Sequence, residues 1–291
     1  MTDSMGRVSE VIEGLVASRS DSLIGLGTVG LLVAARIAGL MFTLPGWQSG
    51  VFPFRLRLAS VLVVTWLVLP VVAGVAGAGE AAGLASLDPA SMCGHALIEA
   101  AIGAILGLGV LTVFAGLRGV GEIIDRQTGW GLAGVLDPSG AGGGPGTTMV
   151  TWTAVAALFV MSPINGHLLL LDSLLGTFDA IALGGIDVTG DAGVVNLASE
   201  LVVRLVHQSL VLTVQVAAPV LAVMLLVSVV IGIVGRALPE TNVLVLAMPA
   251  RVLVGVLLLS VVVTGVGRVM TDAVPGVLDE VRSTLVEASV R

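Results

Sequence analysis

The sequence predicts an all-α, polytopic membrane-protein-like fold of helical hairpins, and three observations carry that expectation. Hydrophobic residues fill 56% of the 291 positions and charged residues only 11%, where a soluble domain carries about a quarter. The mean hydropathy is +1.08. The apolar residues gather into runs close to the length of about 20 residues that a bilayer-spanning helix needs. No hydrophilic block is long enough to form a separate domain, so residues 1–291 are expected as a single helical unit.

Six apolar runs are expected as helices, near 22–44, 58–79, 96–117, 150–172, 208–234 and 243–267. The first is interrupted by Arg36, a charge that needs a partner or a route to water if it lies in hydrocarbon. The second has no charge from Leu58 to Gly79. Gly103, Gly107, Gly109 and Gly116 mark the third, and small residues let membrane helices approach closely. The fourth belongs to a stretch free of charge from Pro138 to Leu171, yet it contains the polar step Asn165-Gly166-His167. Such a step is costly in lipid and points to burial against another protein helix. Pro219 in the fifth run removes a helix hydrogen bond and predicts a kink or break. The sixth is the weakest, uncharged only over Val252–Gly267, with Pro249 expected to break it near its start.

Apolar residues at helical spacing also predict amphipathic helices near both ends, at 7–17 and 274–287. The segment Ser139 to Gly146 is Gly-rich and reads as a flexible linker. Acidic residues concentrate in the loops near 76–95 and 173–203, whereas the other three connections carry Arg. By the positive-inside rule those three face the cytoplasm and both termini face outward.

All thirteen basic residues are Arg, and the net charge of −7 argues against nucleic-acid binding. Cys93 stands alone, so an intrachain disulfide is excluded. The three histidines, His95, His167 and His207, have no second ligand at metal-binding spacing. There is no Gly-x-Ser-x-Gly elbow, and the Gly-rich segment lacks the Lys-Ser/Thr of a phosphate loop. No catalytic residue, metal or cofactor is expected. A secondary transporter would show internal repeats with matching midplane sites. None is visible, and Asn165-Gly166-His167 has no counterpart in the first half.

The polar and Pro/Gly devices occur in a specific order. Gly121-Glu122-Ile123-Ile124 is followed by Gln127-x-Gly129, Asp137-Pro138 and Asn165-Gly166-His167. Then come Pro219, Gly232, Arg236-x-x-Pro239, Asn242-Val243 and Pro249, with Arg36, Pro45 and Arg57 ahead of them all. This order resembles the FliR family of flagellar type III export-gate proteins over roughly residues 25–265; the homologous component of virulence-type injectisomes shares much of it. The resemblance implies a FliP-like half followed by a FliQ-like half. It also implies assembly with FliP, FliQ and FlhB in the bacterial inner membrane at the flagellar basal body, and passage of unfolded flagellar proteins through the assembly. Phe114 matches a position where aromatic residues help plug the pore, although Leu111, Thr112 and Val113 make the surroundings less aromatic than is usual there. Arg36, Glu122, Gln127, Gly129, Asp137, Pro138, Pro219, Arg236, Pro239 and Pro249 are implied as family-motif and packing positions. Asn165, Gly166 and His167 are implied as a buried hydrogen-bond anchor between subunits.

Overall fold

The computed structural model describes residues 25–45, 53–75, 88–130, 144–160, 165–185, 192–237 and 243–290. Within them the regular structure is entirely helical: α1 (Gly25–Thr43), α2 (Phe54–Val75), α3 (Pro89–Thr128), α4 (Pro145–Val160), α5 (Gly166–Ala180), α6 (Ala192–Ala237) and α7 (Val243–Val290). The all-α expectation is met. The amphipathic helix expected at 7–17, together with Asp137, Pro138 and Pro239, lies outside the described residues.

Local chemistry accounts for most helix starts. Asp88 accepts from Met92 N at 3.0 Å, and Pro89 occupies the first helical position, where its missing N–H costs nothing. The Pro53 carbonyl opens α2 by accepting from Leu56 N at 2.9 Å. Asn165 opens α5, its carbonyl accepting from Leu168 N at 2.8 Å and Leu169 N at 3.1 Å. Gly129, at φ 85°, follows α3 in the left-handed conformation that ends helices cheaply.

Three expectations are corrected. The fourth run is two helices, because Asn165 takes a left-handed φ of 42° between α4 and α5. The polar step therefore sits at a helix start, where its backbone groups are needed as caps. The linker expected over 139–146 ends at Gly144, and Pro145 and Gly146 already belong to α4. Neither Pro219 nor Pro249 breaks its helix; α6 runs 46 residues and α7 runs 48. In so long a helix the one hydrogen bond lost at each proline is a small fraction of the ladder. Residues 274–287 are helical, with Val274, Val277, Leu278, Val281 and Leu285 buried, and they continue α7.

Five helices are long and apolar enough to cross a membrane, and α4 is a shorter apolar helix. The chain divides into two compact units. The first takes Met1–Leu108, Leu171–Ala198 and Glu280–Arg291; the second takes Gly109–Leu170 and Ser199–Asp279. In the first unit α1 buries Val29, Leu32, Val33, Ile37 and Leu40 at helical spacing. In the second, Val110, Val113, Phe114, Leu117, Val120 and Ile124 form the matching stripe on α3. The outer face of α2 is apolar and open, with Trp66 80% exposed, as expected of a helix covered by lipid or by another chain.

Candidate functional site

Within the first unit, Arg36 is 0% exposed in the middle of the α1 stripe. Its Nε donates to Glu99 Oε2 on α3 at 2.6 Å. Nη1 donates to Thr177 Oγ1 at 3.2 Å, and Nη2 to the Ile181 carbonyl at 3.3 Å. The guanidinium also lies over the Phe178 ring, 4.2 Å from its centroid, a favourable cation–π geometry. Glu99, 2% exposed, uses its other oxygen to accept from Gly184 N at 3.0 Å. Gly184 has φ 70°, a conformation open to glycine, in the turn after α5. One charge pair therefore ties α1 and α3 to the end of α5 and the turn that follows it.

The two helices that carry this pair meet backbone to backbone. A Cβ on Gly39 would fall on the Ala100 carbonyl, and one on Gly103 would fall on the Arg36 carbonyl. Such contact excludes lipid from the pair and lets a side chain as short as Glu reach across. The sequence singles out Arg36 but misses Glu99. The available signal is a lone acid in one apolar run answering a lone base in another.

A second polar centre lies in the second unit. Asp125, 3% exposed near the end of α3, accepts from Gly146 N at 2.8 Å, Thr147 N at 2.8 Å and Thr147 Oγ1 at 2.6 Å. These donors include orphan N–H groups of the first turn of α4, and a carboxylate there also complements the helix dipole. A Cβ at Gly144 would fall on the same carboxylate. Asp125→Ala removes all three acceptor contacts while the donors stay buried. We expect a loss of about 2–4 kcal/mol, read as a lower unfolding midpoint of the purified protein in detergent, with Asp125→Asn intermediate.

The remaining expected positions are mostly on the surface of the chain. Glu122 pairs with Arg118 at 3.3 Å and Arg126 at 3.6 Å along the exposed face of α3; such pairs contribute little. Gln127, Asn165, His167, Pro219, Arg236 and Pro249 are exposed. Of the polar step only Gly166 is buried, since a Cβ there would fall on the Leu158 carbonyl. The chain by itself does not make Asn165 and His167 a buried anchor. Phe114 is 4% exposed; its own chain covers the ring, so in this conformation the ring does not line a channel between chains.

Compared with known proteins, residues 28–276 match the family model for bacterial export proteins, family 1. The flagellar biosynthetic protein FliR of Caulobacter vibrioides is 29% identical over 211 residues, covering 72% of this chain and 78% of that protein. FliR of Bacillus subtilis is 32% identical over 145 residues, 48% of this chain and 52% of that protein. FliR of Escherichia coli is 28% identical over 154 residues, 52% of this chain and 54% of that protein. The last two alignments span about half of each relative.

Proposed function

Since the chain belongs to family 1 of the bacterial export proteins, we propose that it is a non-enzymatic subunit of the flagellar type III export gate. The observation that carries this reading is the family match itself, which runs from α1 through most of α7. In this role the chain sits in the inner membrane at the flagellar basal body. It assembles with FliP, FliQ and FlhB around the path taken by unfolded flagellar proteins. The flagellar names of the relatives support this system over an injectisome.

The physical features support a scaffold that presents surfaces to neighbours. The Arg36 and Asp125 centres engage groups of their own chain, which suits them to hold helices in place. The exposed polar positions Gln127, Asn165 and His167 and the open apolar face of α2 are then contacts for sister subunits. A plug formed by Phe114 requires the ring to turn out of its own core.

Affinity purification of the tagged chain in mild detergent is expected to bring down FliP and FliQ in one oligomer. Deleting its gene should stop secretion of flagellin. A stable isolated monomer from cells that make all three proteins would refute the reading.

A further inference from the structure

The second unit contains a trough, apolar over most of its surface but carrying a cluster of polar side chains, beside the segment that holds Phe114. It has a volume of about 520 Å³ and lies between α3, α6 and α7. Thr112, His207, Gln208, Ser209, Gln215 and Asp272 line it, and the rest of its wall is aliphatic or small. The concentration is unusual for this chain: two of its four glutamines and one of its three histidines converge here. His207, Gln215 and Asp272 are exposed, and among the described residues their side chains have no hydrogen-bond or ion-pair partner. Polar groups grouped in this way along membrane helices face a pathway or a ligand by default.

We propose that this trough holds the main chain of an extended polypeptide, a contact point for cargo in transit, and this inference rests on the export-gate reading. The chemistry of the lining selects the occupant. An extended chain offers an unpaired N–H and C=O at every residue, and a Gln amide matches both with two donors and an acceptor. A helix of a sister subunit has already used its backbone groups internally and leaves the polar side chains of the trough without main-chain partners. From His207 to Gln215 the α6 wall is about 12 Å long at 1.5 Å per residue. That accommodates roughly three or four extended residues. Contacts to main chain also suit a site that must accept many sequences, because they ignore side-chain identity.

The test places a photo-crosslinking amino acid at Gln215 in the assembled apparatus in cells. The probe is an exported flagellar protein fused to a stably folded domain, so that it stalls in transit. The same crosslinker at Leu225, 67% exposed on α6 outside the trough, is the control. The expected result is a covalent adduct with the stalled cargo at Gln215 and none at Leu225. If the Gln215 variant does not export unfused cargo, Val211 in the same trough carries the crosslinker instead. Adducts only with another membrane protein or with lipid, in cells that still export, overturn the trough and leave the export-gate reading standing. Export that continues when the whole gene is deleted overturns that reading itself. In agreement with a cargo contact, Gln215→Leu should lower the export rate about two- to tenfold without lowering the amount of protein in the membrane.

Discussion

Glu99→Leu leaves the Arg36 guanidinium without its counter-charge in the core of the first unit and destabilises the chain by about 3–5 kcal/mol. At 0% exposure the guanidinium has no route to water. Its contacts to Thr177 Oγ1 and the Ile181 carbonyl, at 3.2 and 3.3 Å, satisfy two donors but supply no charge. We expect the variant to be depleted from membranes and, where it survives purification, to unfold at a lower temperature in detergent. Arg36→Met combined with Glu99→Leu should recover a large part of the loss, because an apolar pair of similar volume replaces an ion pair at little net cost. Recovery stays incomplete: Gly184 N, part-buried, loses its acceptor, at a cost of about 1 kcal/mol. A Glu99→Leu protein that matches the wild type in level and unfolding temperature would show that the pair is dispensable.

Gly103→Ala is expected to act on the same centre by prising α1 from α3. In an ordinary helix interior, replacing Gly by Ala stabilises by about 0.8–1.0 kcal/mol. Here the added methyl meets the Arg36 carbonyl, with Leu40 N 3.0 Å away. The obstacle is backbone, which cannot turn aside as a side chain can. The cost should reach or exceed the upper end of the usual range of about 1–3 kcal/mol for overpacking. Gly27→Ala, on α1 but with nothing within 4 Å of the new Cβ, is the control and should be neutral or mildly stabilising. Because Gly103 lies one turn from Glu99, its effect should be smaller in the Arg36→Met/Glu99→Leu background than in the wild type. Additive losses across that double-mutant cycle would show that close approach and ion pairing act independently.

The two centres differ in how far the sequence reveals them. Helix content and membrane character follow from composition and run length, which need no tertiary information. Arg36 is conspicuous because a charge interrupts an apolar run. Glu99 is not, because it lies near the edge of its run and reads as a boundary residue. Their pairing depends on which helices touch, and a spacing of 63 residues carries no local signal. Asp125 is hidden differently: it caps a helix that begins 20 residues later, across a Gly-rich stretch that looks like a linker. Local capping rules search only the adjacent residues. The Asn165 junction was obscured by hydropathy, since an apolar average over 150–172 cannot register one residue in a left-handed conformation. The division into two units is not marked by loops in the sequence either, because its boundaries fall inside α3, α5, α6 and α7.

The Arg36–Glu99 pair also sets an order of events during synthesis. Arg36 leaves the ribosome 63 residues before its counter-charge, roughly 3–13 s at the usual 5–20 residues per second. The Ile181 carbonyl follows 145 residues after Arg36. For that interval the newborn α1 carries a cation without its counter-charge, which is costly in hydrocarbon. It must wait at the headgroup boundary, or beside the insertion machinery, until α3 arrives. An early helix is thus among the last of the described helices to settle, and its placement depends on a residue the chain has yet to translate.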